Sequence, residues 1–504
     1  MQRDLKKLRR RVTLITASAI SALLIMGTLT WTAIDARQLA EQRRLDAEGQ
    51  IEFMLTDLKD KLEAVGRLDA LNAVGENAAS YYDNYEFSDH DDDALGRRAE
   101  VFHLLGEIQG KLGNLDDADR YFQDAYMATE ELFERNPDNP DRIFEHSQSA
   151  FWVGRLQYGL GNYDAAQLHF QSYLEFAKRL QEVEGDTERA LQELAYAYAS
   201  LGAFELDYGN LQKGAELLNK SLSLKETIFK NNSGGRSEVI SLFNGYSSLA
   251  STALRMNDLK ASITYLQKAK DLFKSSEVDA EFNFLELKNL RTLLHLYYIN
   301  GDKDPFKASL EKAKVLIERL VGIDSENLDY QYEISLINII EYEYLFSVDE
   351  TSSLEFLKEK IETEYSKLKK ADDKKSNLIE FLLMNIRVYH SLSNDENPSE
   401  SINLIGSKLE DLNVISAPDV KELPYVLPSI ILLQNWEEND IHTEILNQLC
   451  NDQKINLNYI NRVILNSSPA VVDCPIAIKQ NHQNSISKAA ELFSEFNREK
   501  KNDK

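Results

Sequence analysis

The densest group of chemically capable residues in this chain is a run of five possible metal ligands, Asp89, His90, Asp91, Asp92 and Asp93. A calcium loop needs alternating ligands and a glycine at its turn, and this run has neither. A solvated linker that places acids near the N-terminus of the next helix explains the run better, because the helix dipole stabilises negative charge there. We therefore predict no metal and no cofactor.

The common catalytic signatures are missing from the sequence. It contains no GxxxxGK[ST] phosphate loop, no HExxH, no GxSxG elbow and no CxxC pair. Acidic pairs such as Glu130 and Glu131 are expected on solvated helix faces in a chain with 83 Asp and Glu. We predict that His103 and His169 lie on different faces of different helices and are surface or packing residues rather than metal ligands. The sequence thus predicts a protein that is not an enzyme; the alternative is an unrecognised site in residues 321–478.

The charge balance excludes one class of partner. The 504 residues carry 57 Lys and Arg against 83 Asp and Glu, a formal net charge of -26. Binding to nucleic acid relies on Lys and Arg that neutralise phosphates, so we predict no nucleic-acid partner. The 43% hydrophobic content, with only 9 Pro and 21 Gly, is typical of a folded chain rather than a disordered one.

A 48-residue period in the middle of the chain indicates the fold. The first-helix columns of this period are Leu105, Val153, Leu201 and Leu249, then Gly106, Gly154, Gly202 and Ala250. The turn pairs are Gly113-Asn114, Gly161-Asn162, Gly209-Asn210 and Asn257-Asp258. The second-helix columns are Ala118, Ala166, Gly214 and Ser262, then Phe122, Phe170, Leu218 and Leu266, then Ala125, Tyr173, Ser221 and Ala269.

Each copy of the period predicts two helices joined by a Gly/Asn turn, in which small residues let the helices approach and the bulky column fills the layer between them. One such hairpin cannot bury its own apolar face, so the copies must stack. A fifth copy follows at Leu294, Gly301-Asp302 and Phe306, after a step of 44. Apolar stretches at 326–347, 352–370, 374–393 and 420–437 predict degenerate hairpins, and Ile486, Ala489, Phe493 and Phe496 predict a capping helix. The predicted fold is all-α, a solenoid of long helical hairpins.

The spacing from Gly106 to Ala118, Phe122 and Ala125 resembles the tetratricopeptide repeat (TPR), a helix-turn-helix unit of about 34 residues. Two features depart from that family. The proline usual after the second helix comes late, at Pro137 and Pro140. The first-helix aromatic is replaced, in the successive copies, by Gln109, Gln157, Glu205 and Ala253.

The N-terminus predicts a membrane anchor. Residues 12–34 carry no charge, and as a helix they would span about 34 Å, against about 30 Å for a hydrocarbon core. Six basic residues precede the stretch and three follow it within a similar distance, which favours a cytoplasmic N-terminus at 1–11. The prediction is an uncleaved signal anchor in the inner membrane of a Gram-negative cell, with the body in the periplasm. A cleaved signal peptide and a buried core helix are the alternatives.

Residues 35–86 predict a juxtamembrane helical hairpin. Ile51, Leu55, Leu58 and Leu62 form a narrow seam, which suits either a short coiled coil or packing against the following helix, 68–82. Small-residue pairs in the span add to the first alternative, a homo-dimer through residues 12–65. The segments FMLTDLKDKLEAVGRLDALNAVGENA and QSAFWVGRLQYGLGNYDAAQLHFQSYL resemble bacterial signalling proteins that join a cytoplasmic effector domain, often a Ser/Thr kinase, through one span to a TPR array. The resemblance covers about residues 35–180, and no kinase motif is present.

Two cysteines, Cys450 and Cys474, are the only ones in the chain. In an oxidising periplasm they would form a disulfide that stabilises the fold by roughly 3 kcal/mol. The alternative is two unrelated buried thiols.

These predictions together describe a membrane-anchored scaffold that binds a protein or peptide, the sensory or docking part of a signalling system; an envelope-assembly spacer is a further alternative. The predicted domains are the tail 1–11, the span 12–34, the hairpin 35–86, the TPR-like repeats 95–320, the degenerate repeats 321–478 and the cap 479–504. In stacked hairpins the first helices line the inner side, so their outward positions are candidate contacts. These candidates are His103, Glu107, Lys111, Phe151, Arg155, Tyr158, Tyr196, Asn244, Ser247 and Arg255. Phe151 and Tyr158 with Arg155 between them have the character of a binding hot spot, and packing of Phe151 and Trp152 against neighbouring repeats is the alternative.

Overall fold

A computed structural model describes residues 2–63 and 92–393 except 233, 257, 276–278 and 372, with isolated positions at 78, 394, 396, 398, 400–401 and 404–405. The regular structure of these residues is helical throughout, and they contain no strand. The predicted all-α class is therefore confirmed for the described part of the chain. Cys450, Cys474, the stretch 420–437 and the predicted cap lie outside the described residues.

The helices follow one another as antiparallel pairs after a long N-terminal helix, α1 (Gln2–Glu63). The first helices of the pairs are α2 (Asp92–Leu112), α4 (Pro140–Gly159), α6 (Glu188–Tyr208), α8 (Arg236–Arg255), α10 (Ala280–Asn300), α12 (Leu328–Ser347) and α14 (Asp373–Ser393). The second helices are α3 (Leu115–Arg135), α5 (Tyr163–Glu184), α7 (Leu211–Asn231), α9 (Leu259–Asp271), α11 (Lys303–Ile323) and α13 (Leu354–Ala371). Helices α10 to α14 cover the fifth copy and the apolar stretches up to residue 393.

The chain divides into two compact units, Met1–Ala197 and Tyr198–Lys504, and the division falls within α6. Unit 1 contains the hairpins α2/α3 and α4/α5 with the first half of α6. Unit 2 contains the second half of α6 and the hairpins from α7 onward. In both units the apolar columns are buried; Phe102, Phe122 and Phe170 are examples in unit 1, and Leu294 and Phe306 in unit 2. The finer domain divisions predicted from the sequence remain predictions.

The predicted membrane span is wrong, and with it the location in the inner membrane and periplasm. Among the described residues, no helix is long and apolar enough to cross a bilayer. The apolar stretch is part of one continuous 62-residue helix, α1, whose other parts are rich in charge.

The glycine column brings the two helices of each pair together as predicted. A Cβ built on Gly106 would lie 2.6 Å from the Phe122 ring, and one on Gly154 would lie 3.1 Å from the Phe170 ring. In unit 2 a Cβ on Gly202 would lie 3.1 Å from Leu218. Each contact joins positions 16 apart in the same register. The small column therefore sets the distance between first and second helix.

The turns between paired helices need glycine for a different reason. Gly113, Gly161 and Gly301 have φ of +82°, +80° and +78°, the left-handed region that L side chains rarely adopt. The left-handed conformation thus repeats across one 48-residue step, from Gly113 to Gly161, and returns at Gly301, whereas Gly209 does not adopt it.

The hydrophobic seam after the apolar stretch begins with a contact inside unit 1. Ile51 of α1 packs against the cluster of Val101, Phe102 and Tyr121. The side chains of Leu55, Leu58 and Leu62 lie outside the described residues. Ile51 therefore belongs to the core of the first hairpin, and the dimer through residues 12–65 stays a sequence prediction.

Candidate functional site

The predicted contacts on α4 surround an aromatic and guanidinium group. The Phe151 ring is half-buried, 5.3 Å from the Trp152 ring and 5.4 Å from the Tyr173 ring of α5. Arg155 is exposed, and its guanidinium carbon lies 5.4 Å from the centre of the Trp152 ring. Trp152 stacks on Phe122 of the preceding hairpin at 5.5 Å. Trp152 therefore packs between repeats, while Phe151 and Arg155 leave part of their surface open.

The other predicted contacts of unit 1 lie on its first helices, each beside a local partner. On α2 the Lys111 ammonium is 3.1 Å from the Glu107 carboxylate. Tyr158 lies edge-on to Tyr163 across its own turn, at 6.3 Å. On α6 the hydroxyl of Tyr196, 41% exposed, accepts a hydrogen bond from Gln192 at 3.1 Å. We call the predicted contacts of unit 1 the unit-1 face; they are His103, Glu107, Lys111, Phe151, Arg155, Tyr158 and Tyr196.

A buried carboxylate lies beside the unit-1 face and was missed by the sequence analysis. Glu193 on α6 is 4% exposed and accepts hydrogen bonds from Ser147 Oγ at 3.0 Å and from the Gln148 amide. Tyr173 is a third donor. Burial raises the pKa of Glu193, and the three neutral donors partly offset that effect. These hydrogen bonds hold α4, α5 and α6 together. The sequence could have predicted Gln148 as a member of the unit-1 face, since it lies one 48-residue step before Tyr196.

His103 is a predicted contact that takes part in a chain of hydrogen bonds. Its Nε2 lies 2.8 Å from Ser149 Oγ, and Thr129 Oγ1 donates to Ser149 Oγ at 2.8 Å. Thr129 Oγ1 also lies 3.1 Å from His146 Nδ1, so two imidazoles and two hydroxyls form one chain across α2, α3 and α4. Burial lowers the pKa of His103 and of His146 to about 4, and both rings are neutral at physiological pH.

The Ser149 and His103 pair has the bonding of a nucleophile and its base, but it lacks access. A nucleophilic serine must reach a substrate carbonyl, and Ser149 has no exposed surface. The hydroxyl also lies between three helices. The pair therefore joins repeats rather than performing acyl transfer.

The predicted contacts of unit 2 are separate from those of unit 1 and differ in character. Arg255 on α8 donates to Asp207 Oδ1 at 2.7 Å and to the Leu206 carbonyl, so its guanidinium ties α8 to α6. Asn244 is exposed, and its backbone carbonyl accepts from Ser248 at 2.9 Å. Ser247 is half-buried.

Part of the alternative enzyme region, residues 321–393, contains a convergence of ionisable groups around His390. Tyr342 Oη lies 3.2 Å from His390 Nδ1, and His390 Nε2 lies 2.6 Å from a Glu355 carboxylate oxygen. Tyr342 has no exposed surface, so its hydroxyl cannot meet a substrate. No group of three or more His, Cys, Asp or Glu side chains in the described part of the chain could hold a metal ion.

Extending one predicted column along the chain reveals two further ionisable residues. The column of Glu107 and Arg155 passes through Ala203 and Ser251 in steps of 48. The 44-residue step of the fifth copy then leads to His295, and another 48 leads to Glu343. Both are half-buried, on α10 and α12. We call these positions the Glu107 column; the signal was in the sequence, but the degenerate copies hid it.

Comparison with known proteins identifies the first hairpin. Residues 99–131 match the sequence family described as tetratricopeptide repeat. The match begins in α2 and ends in α3, so it includes Gly106, the turn and Phe122. No curated protein sequence matches the chain.

Solved structures with a similar arrangement of helices include three with low sequence identity. Aspartyl phosphate phosphatase F from Bacillus subtilis is 11% identical, with 87% of this chain and 96% of that chain covered and a TM-score of 0.45. BtubC (BKLC) from P. vanneervenii is 14% identical, with 51% and 92% covered and a TM-score of 0.41. A Rap protein complexed with competence and sporulation factor is 14% identical, with 68% and 98% covered and a TM-score of 0.34. The sequence match to the tetratricopeptide repeat family thus covers one hairpin, at residues 99–131.

Proposed function

We propose that this protein is a non-enzymatic scaffold that binds a protein or peptide partner on the unit-1 face. The observation that carries the proposal is the exposed Arg155 guanidinium above the Trp152 ring, next to the half-buried Phe151 ring. Arginine and aromatic residues are enriched among the few residues that supply most of an interface's binding energy. Here they stand on a first helix, where stacked hairpins present a continuous surface.

The local rigidity of this group supports the same proposal. Trp152 is held by its stack on Phe122, and Phe151 is held by Tyr173. A partner that covers Arg155 and Phe151 therefore meets side chains that are already positioned, which lowers the entropy lost on binding. Within this proposal, the resemblance of residues 35–180 to signalling proteins suggests the docking part of a signalling system.

The test is affinity capture of the full chain after crosslinking in cells. Wild type is compared with Phe151→Ala/Arg155→Ala/Tyr158→Ala and with a control, Met127→Ala/Leu168→Ala, whose side chains are 56% and 62% exposed on the second helices of the same unit. We expect a partner that is captured by wild type and by the control and is lost from the triple variant. Circular dichroism checks that every variant is folded. Capture of the same proteins by all three would show that the partner does not use the unit-1 face.

A further inference from the structure

The Glu107 column continues along two packed first helices of unit 2. One core cluster contains Leu290 and Leu294 of α10 with Ile337 and Ile340 of α12. Near the N-terminal ends of these helices the Phe284 and Tyr330 rings lie 5.2 Å apart. Because α10 and α12 lie side by side, His295 and Glu343 occupy equivalent positions on neighbouring helices.

The neighbours of Glu343 show which side of α12 it occupies. Tyr342 reaches His390 of α14, and the Tyr344 ring stacks on Phe306 of α11 with ring centres 4.1 Å apart. Successive residues of a helix point about 100° apart, so Glu343 lies between these two directions. It projects from the side of α12 that packs against neither α11 nor α14, and it is half-buried there.

The Glu343 carboxylate has no partner among the described residues. Two cations of the neighbouring helices α10 and α11 are engaged elsewhere: Arg291 donates to Glu333 at 2.7 Å and Lys314 donates to Glu341 at 2.9 Å. Burial raises the pKa of Glu343 to about 7, which reflects the cost of a recessed charge without a counter-charge. A cation supplied from outside the chain would offset that cost.

We propose that Glu343 binds a cationic side chain, arginine or lysine, of a peptide partner that lies along the Glu107 column of unit 2. The proposal stands apart from the unit-1 face, since it concerns other residues and another unit. A metal ion does not suit the position, because the column brings only one carboxylate and one imidazole to it. Burial, and to a lesser degree the Arg291 charge, lowers the pKa of His295 to about 4, so its neutral ring does not repel a cation. The net charge of -26 attracts basic peptides over long range.

The test uses pools of heptapeptides in which the central residue is fixed as arginine, lysine, citrulline or glutamate. The full chain is incubated with each pool, and the retained peptides are measured by mass spectrometry. Citrulline has nearly the shape of arginine without its charge, so it isolates the charge. We expect wild type to retain the arginine and lysine pools in preference to citrulline and glutamate. In Glu343→Gln, retention of the arginine pool should fall at least about tenfold.

Three further variants locate the effect. Glu318→Gln removes an exposed carboxylate from α11 of the same unit and should retain the arginine pool as wild type does. The triple variant of the unit-1 face should also retain it, which separates this proposal from the proposed function. Glu343→Asp keeps the charge and should still prefer arginine to citrulline. Equal retention of arginine and citrulline by wild type, or wild-type retention by Glu343→Gln, would overturn the proposal.

Discussion

At the scale of single residues, Gln157 shows how the polar column on the first helices is bonded. Its Nε2 donates to Asp119 Oδ1 at 2.8 Å on the preceding hairpin, and its Oε1 accepts from Asn162 Nδ2 at 2.7 Å in its own turn. Gln109 accepts from Asn114 with the same geometry, at 2.7 Å. The polar column therefore fixes the turn and, at Gln157, also joins two repeats.

Replacing Gln157 by a side chain of similar size should destabilise the fold. Gln157→Leu removes both hydrogen bonds and leaves Asp119 and Asn162 with one partner fewer, so we expect the free energy of unfolding to fall by about 1–3 kcal/mol. Urea denaturation followed by circular dichroism measures this change. The matched control, Gln212→Leu, alters an exposed glutamine whose one bond, to Glu216, is on the surface, and should stay within about 0.5 kcal/mol of wild type. Equal effects of the two changes would contradict the role given to Gln157.

Two glycines of α2 should respond oppositely to alanine. A Cβ on Gly106 would lie 2.6 Å from the Phe122 ring, which is itself stacked on Trp152, so we expect Gly106→Ala to destabilise the fold by about 1–3 kcal/mol. Gly110 has no atom within 4 Å of that position, so Gly110→Ala should stabilise the helix by up to about 1 kcal/mol. Thermal unfolding of both variants decides the matter. A neutral Gly106→Ala would mean that the small column does not set the helix distance.

Some side-chain contacts could be predicted from the sequence and others could not. The 48-residue columns predicted which glycine meets which bulky side chain, because both lie on fixed helical positions. They did not predict the bond between Gln157 and Asn162, since the loss of an aromatic says nothing of what replaces its contact. Glu343 was missed because the degenerate copies have no turn signal to carry the register forward.

At the scale of helices, the hydroxyl and imidazole chain joins α2, α3 and α4 and makes unit 1 sensitive to acid. His146 is 2% exposed and lies among the rings of Tyr126, Phe133 and Phe176. Burial, and to a lesser degree His169, lowers its pKa from 6.5 to about 4. Between these two pH values His146 is protonated in the unfolded chain and neutral in the folded chain. The free energy of unfolding therefore falls as the pH drops from about 6.5 to about 4.

His146→Phe should reduce this acid sensitivity. The variant keeps the aromatic packing, and Thr129 keeps its bond to Ser149. The wild type should lose up to about 3 kcal/mol more than the variant between pH 6.5 and pH 4, because the carboxylates common to both cancel in the difference. Thermal melts across that range give the two curves. Parallel curves for wild type and variant would show that His146 titrates normally.

The positions of the later helices could be predicted from the sequence. The apolar stretches at 326–347, 352–370 and 374–393 correspond to α12, α13 and α14. Helical periodicity depends on which residues are buried. In α12 eight consecutive residues, 333–340, are buried, so its stretch was found by its apolar length rather than by one apolar side. The prediction that failed concerned α1. Its apolar stretch was interpreted as a separate span, whereas the structure continues it into charged helix on both sides.

At the scale of the whole molecule, the proposed function places the partner on the unit-1 face. The sequence could predict a stack of hairpins from its period, because repeated hairpins must bury repeated surfaces. It could not predict the partner, since binding depends on which side chains remain exposed after packing. The structure identifies Arg155 and Tyr196 as exposed members of the unit-1 face and shows that Trp152 is committed to packing.

The most direct test places a photo-crosslinking amino acid, p-benzoylphenylalanine, at position 196 on the unit-1 face and, separately, at position 168 on the second helix α5. Tyr196 and Leu168 are 41% and 62% exposed, so both positions accept the probe without disturbing the core. Irradiation in cells should give a discrete crosslinked partner from position 196 and none from position 168. The same partner from both positions, or from position 168 alone, would contradict the claim.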